Sequence, residues 1–388
     1  MIRAAHRRSP DMPRLLPLLR VTLLRAALLG LGLLAAPAAA LDPRAILFHA
    51  ARADAELAAG RPESAYRRLR WLALNDAGDT RRTDAYLTAL QQIRRDRPLG
   101  FAAGLAVLPS TNIARTSSHD RFETGVGTFD LADEREKSGL GLRLDTAANA
   151  TSAYAPGREL GLRISLGGAW YDDPALRLVT GALALSHTWI LPRRTWTVAA
   201  LASATAYPAH DADSAPDWQG AGAALSATRA LSDAGTLRGS VLVQYRDFET
   251  RDYMDGPFAA LDLSYSRLVS PRARVTLSAG LDRARTRADH YAYGAASLGL
   301  GYRRATRSGL TWEAGAGAEL RGFDADFTAL THPREDRIYD LSLALSHEKL
   351  RVLDTQPRLE CTARFHESNV ALYDYDSLDC ALSLRQDF

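Results

Sequence analysis

Cysteine and methionine are scarce in this sequence. Its 388 residues include only 2 cysteines and 3 methionines. Two cysteines cannot form a disulfide framework or the four-cysteine cluster of a structural zinc site, so both classes are excluded. The proportions of apolar (46%) and charged (24%) residues are ordinary, which excludes collagen-like, low-complexity and fully disordered chains.

The sequence also lacks an excess of charge of either sign. It has 48 basic and 45 acidic residues, and 46 of the basic residues are arginine. Such a balance provides no basic surface for nucleic acid, so we expect no nucleic-acid partner.

No stretch after Leu41 approaches the run of about 18 apolar residues that a membrane-spanning helix needs. This absence excludes a helical membrane protein but not a membrane barrel. Residues 1–40 combine six arginines, an apolar run and a small-residue cleavage site at 38–40, which predicts a secretory signal peptide. Without this segment the chain holds 42 basic and 44 acidic residues.

Residues 41–98 carry apolar side chains at helical spacing in three stretches, separated at Gly60 and again before residue 80. The spacing predicts a short segment of three helices. The sequence from Ala55 to Leu69 resembles the turn of a tetratricopeptide repeat. This segment has room for fewer repeats than a free-standing array needs, so we expect it to lean on a partner or on the rest of the chain.

From residue 99 to 388 the apolar residues alternate with polar ones, as in a strand with one apolar and one charged face. We identify fourteen such segments, the first at 99–108, joined alternately by short turns and longer loops. Aromatic residues concentrate near the segment ends and not in the middle. An even number of long strands with aromatic ends predicts a transmembrane β-barrel of about 14 antiparallel strands. A soluble β-sandwich is disfavoured because its strands are usually shorter.

The polar face of the predicted strands is directed into the barrel. The charged residues that we expect to line the lumen are Arg143, Asp145, Arg163, Arg238, Arg246, Glu313, Glu319, Arg321, Glu360, Arg364 and Arg385. Because both signs are well represented, the lumen is either hydrated and crossed by ion pairs or plugged by charges that satisfy one another.

Cys361 and Cys380 fall on the lipid-facing side of the last two segments. A hairpin centred near residues 370–371 would make them cross-strand neighbours and permit a disulfide, whereas a slip of one residue would leave two free thiols. The loop histidines His119, His210, His290 and His332 show no metal-ligand spacing, so we expect no metal site and no cofactor. No arrangement of residues predicts a catalytic site.

Two stretches carry a resemblance to a known family. They are LPSTNIART (Leu108 to Thr116) and ESNVALYDYDSLDCALSLRQDF (Glu367 to Phe388). Together with the layout of the chain, they resemble the surface lipoprotein assembly modulators, in which periplasmic tetratricopeptide-like helices precede a fourteen-stranded outer-membrane barrel. The helical part is much shorter here than is usual in that family. The terminal Phe388 also resembles the recognition tail of outer-membrane barrels.

The resemblance implies a non-enzymatic outer-membrane translocator that delivers a specific lipoprotein or secreted protein to the cell surface. The partners it implies are outer-membrane lipid, the client, a periplasmic chaperone and the barrel-assembly machinery, and we expect a monomer. The alternative is a diffusion porin or uptake channel for small solutes. A structural or adhesive barrel is a third reading.

Overall fold

The computed structural model describes residues 43–76, 80–124, 127–130, 137–209, 215–232, 234–328, 330–352 and 355–387. The predicted signal peptide and Phe388 lie outside the described residues. Within the described ranges, none of the helices has both the length and the apolar character needed to cross a membrane.

Three helices begin the described chain: α1 (Pro43–Ala58), α2 (Pro62–Asn75) and α3 (Thr80–Asp96). The first helix ends before Gly60. The φ of this residue is +69°, a left-handed conformation that glycine adopts at little energetic cost. Pro62 then occupies the first turn of α2, where its missing N–H group is not needed. These elements confirm the three helices predicted from the sequence.

The helices share one apolar core, which includes Ala53, Leu69, Leu72 and Leu90. The helical spacing of the sequence predicts that Leu47 and Leu57 share the buried stripe of α1 with Ala53. This prediction is wrong, because Leu47 and Leu57 are 63% and 38% exposed. The reason is that, among the described residues, α1 makes its main contacts with α2, so part of its surface stays exposed.

Fourteen antiparallel strands follow and close into a barrel, as predicted. They are β1 (Leu99–Ser110), β4 (Gly139–Ala155), β5 (Arg158–Tyr171), β6 (Leu178–Leu191), β7 (Arg194–Ala206), β8 (Trp218–Ala230), β9 (Gly235–Phe248), β10 (Gly256–Ser270), β11 (Ala273–Ala284), β12 (Tyr293–Ala305), β13 (Leu310–Asp326), β14 (Pro333–His347), β15 (Arg358–Ser368) and β16 (Tyr375–Asp387). Each strand pairs with its neighbour in the chain, and β1 pairs with both β4 and β16.

The predicted loop after the first strand contains an extra hairpin, formed by β2 (Arg121–Thr124) and β3 (Gly127–Asp130). β1 itself runs two residues beyond the predicted end at 108. The barrel therefore has one end with short turns, where the helices enter β1, and one end with long loops. We call these the short-turn end and the long-loop end.

Large apolar side chains cover the outer face of the barrel. Leu185, Leu298 and Leu320 are 59%, 70% and 58% exposed, and comparable residues occur on the other strands. A belt of this extent would be unfavourable in water and is typical of a lipid-facing surface. At the short-turn end Tyr302 and Trp312 pack with ring centroids 5.1 Å apart, which fits an aromatic girdle.

Candidate functional site

The register of the strands determines which residues face the lumen, because directly paired residues project to the same side of a sheet. Asp145 lies opposite Gly104, which in turn lies opposite Arg385. A cavity of about 610 Å³ inside the barrel is lined by residues from both sides of the β1–β16 junction. The charged side chains lining it are Arg143, Asp145, Arg163, Arg358, Glu360 and Arg385.

Ion pairs connect lumenal residues across several strands. Glu313 on β13 forms an ion pair with Arg303 on β12 at 3.2 Å and accepts a hydrogen bond from Arg358 on β15 at 2.9 Å. Arg358 also contacts Glu360 at 3.2 Å, so four side chains form a network that spans β14. Arg358 was absent from our list of lumenal charges, although the alternation that identified Glu360 and Arg364 includes it.

Other lumenal charges form separate pairs. Arg364 donates to Asp340 at 2.8 Å, Arg321 to Glu319 at 2.6 Å, and Arg143 contacts Asp145 at 3.1 Å. These local pairs hold the charged side chains against the wall.

The arginines of the wall between β5 and β9 are arranged differently. The guanidinium of Arg246 lies 3.8 Å from the ring centroid of Phe258, a cation–π contact. Neither Arg163 nor Arg238 forms an ion pair with another residue that the structure describes. These two arginines therefore differ from the paired arginines of β12, β13 and β15.

The helices cover part of the short-turn end of the barrel. Tyr66 of α2 donates to both carboxylate oxygens of Glu159 at 2.7 and 2.8 Å. Glu159 lies at the start of β5, faces inward and is 7% exposed. Burial, followed by the negative charge of Glu159, raises the pKa of Tyr66 far above its ordinary value, so the phenol remains a donor.

Apolar and backbone contacts strengthen this attachment. Ile190 of β6 is 2% exposed and belongs to the core of the helices. Gln91 of α3 donates to the carbonyl of Ala153 at 3.4 Å, and the amide of Arg193 donates to the carbonyl of Ala73 at 3.3 Å. The helical segment thus docks on the ends of β4, β5 and β6, and does so within one chain.

On the opposite side of the short-turn end the helices leave a gap above the barrel. A cavity of about 500 Å³ lies between α1 and α2 on one side and Leu268 and Arg274 of the barrel on the other. Glu56 and Arg68 form part of its helical side, and Arg68 donates to Glu56 at 2.7 Å. This hydrogen bond lowers the pKa of Glu56 below its ordinary value.

Aromatic contacts hold the β2–β3 hairpin at the long-loop end. The ring of Phe122 lies 6.3 Å from that of Phe327, which lies 5.8 Å from Tyr373. Arg334 stacks on Tyr373 at 3.3 Å and pairs with the buried Asp336 at 2.7 Å. The hairpin therefore rests on the loops that follow β13 and β15.

The loop histidines do not converge on one another. His119 lies 3.4 Å from Asp374, and His332 approaches Asn369 at 3.2 Å. His210 lies outside the described residues. In the described ranges no group of three or more His, Cys, Asp or Glu side chains is arranged to hold a metal ion.

Cys361 and Cys380 are directly opposite each other in the β15–β16 ladder, with their Cα atoms 4.0 Å apart, and are joined by a disulfide. They lie on the lipid-facing side, where Leu343 is the next residue in the same row. The hairpin is therefore centred between residues 370 and 371, one of the two alternatives that the sequence left open.

A closed fourteen-stranded barrel with an apolar exterior and a charged interior defines the class of outer-membrane β-barrel proteins. The chain belongs to the surface lipoprotein assembly modifier family, which it matches over residues 100–388. The matched region begins within β1, so the three helices precede it.

Two solved outer-membrane structures are similar to this chain at low sequence identity. The toluene transporter TodX of Pseudomonas putida is 10% identical, with a TM-score of 0.43, and the match covers 75% of this chain and 90% of TodX. The outer membrane channel DcaP of Acinetobacter baumannii is 11% identical, with a TM-score of 0.44, and the match covers 75% of this chain and 96% of DcaP. Among curated proteins no match is found.

Proposed function

We propose that this protein is an outer-membrane translocator that delivers a specific lipoprotein or secreted protein to the cell surface. Membership of the surface lipoprotein assembly modifier family carries the proposal. In this role the short-turn end and the helices face the periplasm, and the long loops face the exterior.

The attachment of the helices to the barrel supports a gated passage. Tyr66 and Ile190 join the helical segment to one side of the mouth, while the other side has a gap of about 500 Å³. A client or a periplasmic chaperone would meet the helices before it meets the lumen. The protein acts as a monomer in outer-membrane lipid, after insertion by the barrel-assembly machinery, and catalyses no reaction.

Surface display tests this function. Epitope-tagged lipoproteins and secreted proteins encoded beside the gene would be expressed in a heterologous Gram-negative host, with and without this barrel, and intact cells treated with protease. We expect at least one candidate to become protease-sensitive only when the barrel is present. A lipoprotein native to the host is the matched control and should stay protected. If every candidate stays protected in both strains, the proposal is wrong.

A diffusion channel for small solutes is the second candidate. It is favoured by the cavity of about 610 Å³ inside the barrel and by Arg163 on its wall. Steady conductance of the purified protein in a planar bilayer would support it. Arg163→Ser should then reduce anion preference, whereas Arg229→Ser, on the outward side of β8, should leave it unchanged. A translocator should conduct little without its client.

A further inference from the structure

The junction between β1 and β16, where the barrel closes, is interrupted within its ladder. Residues 102–107 pair with residues 382–387, but Leu108 and Pro109 have no partner on β16 before pairing resumes at Ser110 with Asp379. The register does not shift across this gap. Other interruptions in the barrel are register shifts near hairpin ends, as at residues 153–155. On its other side β1 pairs continuously with β4 from Leu99 to Ser110.

Pro109 explains the gap. The amide of Thr111 donates to the carbonyl of Leu378 at 3.1 Å, so the odd-numbered residues of β1 direct their N–H groups toward β16. Pro109 has no N–H group and cannot donate to Cys380, its opposite residue in the register. Proline in a sheet normally turns its nitrogen away from a partner strand. β1 therefore presents an incomplete edge to β16 at this height.

The other side of β16 is covalently fixed at the same height. Cys380, opposite Pro109, forms the disulfide with Cys361 of β15. Any separation of strands at this level must therefore occur between β1 and β16 and not between β15 and β16.

Side chains hold the long-loop end of the junction. We define residues 110–117, which follow the gap, as the latch segment. Thr111 Oγ1 accepts from the amide of Leu378 at 2.9 Å, Asn112 donates to the carbonyl of Asp376 at 3.3 Å, and Ser117 donates to the carbonyl of Ala371 at 2.6 Å.

Asn112 organises the latch segment. Its side chain is buried, accepts from the amide of Thr116 at 3.0 Å and donates to the carbonyl of the same residue at 2.9 Å. A single side chain thus shapes the segment and bonds it to β16. Contacts of this kind can break without unfolding the strands themselves.

We propose that β1 separates from β16 when a client passes, and that the latch segment keeps this junction closed at rest. The inference rests on the translocator function proposed above and assigns its route. A sideways opening lets a lipid-anchored client move its acyl chains directly into the bilayer. The alternative, carrying them through the charged lumen, would place apolar chains among ion pairs at high energetic cost.

Cysteine pairs test the route in the full-length protein. Ala106→Cys with Ser383→Cys would lock the β1–β16 junction, because these residues are opposite each other and face inward. Ala182→Cys with Ser203→Cys is the matched control, since it replaces the same residue types in the β6–β7 ladder. Both pairs line the same cavity, away from the lipid-facing native disulfide. Display of the client identified above would be measured before and after reduction.

The locked junction should reduce display about tenfold or more, reduction should restore it, and the control pair should have no effect under either condition. Full display with the junction cross-linked would overturn the proposal. Equal loss with both pairs would also overturn it, because any rigid barrel would then be inactive. Absence of display from the unmodified protein instead contradicts the translocator function itself.

Hydrogen exchange tests the junction without any client. In the purified protein the amides of residues 103, 105 and 107, which are directed toward β16, should exchange about tenfold faster than those of residues 183 and 185 in β6, which are directed toward β7. Asn112→Ala should increase exchange at the β1–β16 junction further and leave β6 unchanged. Equal protection of the two junctions, or no effect of Asn112→Ala, would contradict the latch.

Discussion

At the scale of residues, the contact between Tyr66 and Glu159 is a buried polar link between the helices and the barrel. A buried carboxylate that loses its hydrogen-bond donor retains its desolvation cost. Arg94 lies 3.8 Å from the ring centroid of Tyr66 and pairs with Glu63, so the phenol is held in place from its other side. Sequence reasoning could not find this contact, because its partners are separated by 93 positions.

We expect Tyr66→Phe to weaken docking of the helices by about 1–3 kcal/mol, since Glu159 would lose the hydrogen bond that the phenol shares between its two carboxylate oxygens. Limited proteolysis of the folded protein, followed at residues 59–61, would measure this release. Tyr154→Phe is the control, because its hydroxyl contacts His187 on the outside of the barrel. Equal protease resistance of Tyr66→Phe and the parent would show that the contact is dispensable.

Gly157 gives a second prediction at this scale. It has a φ of +69°, and a Cβ atom there would lie 2.3 Å from the carbonyl oxygen of Ile190. Gly60 has the same φ but open space around it. Gly60→Ala should therefore cost about 1 kcal/mol from backbone strain alone, whereas Gly157→Ala should cost clearly more. Heat-dependent unfolding followed by gel mobility would compare them, and equal losses would rule out the steric contribution.

At the scale of elements, the helical segment should respond to acid. Glu56 has a pKa below its ordinary value of 4.5 in the folded state, chiefly because Arg68 donates to it. A carboxyl group whose pKa is lower in the folded state than in the unfolded state stabilises the folded state at pH values above its unfolded pKa. This stabilisation is lost as the pH falls through the folded pKa. Protease sensitivity at residues 59–61 should therefore rise below about pH 4.5. In Glu56→Gln this contribution should be absent, and an unchanged acid response would contradict the assignment.

The predictability of each element follows from what surrounds it. A strand that lies between lipid and a polar lumen must alternate apolar and polar residues, so all fourteen barrel strands could be identified from the sequence. The β2–β3 hairpin was missed because strands of four residues are too short to display a period of two. Alternation determines which face Cys361 and Cys380 occupy, but only the hairpin centre determines that they meet. The side chains of the latch segment act across chain separations of more than 250 residues, which no local pattern reveals.

At the scale of the whole molecule, we predict that insertion into the membrane depends on Phe388. Phe388 completes the alternation of the last segment and resembles the recognition tail of outer-membrane barrels. We expect Phe388→Asp to reduce the amount of assembled barrel, because the tail would lose its apolar terminus. Gel mobility of unheated and heated membrane samples would report assembly. Ser383→Asp, five residues earlier on the lumenal face, is the control, and normal assembly of Phe388→Asp would refute the expectation.

The short connection between α3 and β1 has a consequence for biogenesis. Only Arg97 and Pro98 lie between Asp96 and Leu99, and the carbonyl of Pro98 already accepts from Thr151 of β4. The helices are synthesised before every strand, yet the mouth they cover is complete only when β16, the last strand to emerge, reaches β1. Closure of the barrel between β1 and β16 and covering of its short-turn end by the helices are thus coupled in time. In a partly assembled barrel the helices do not yet have a complete short-turn end to cover.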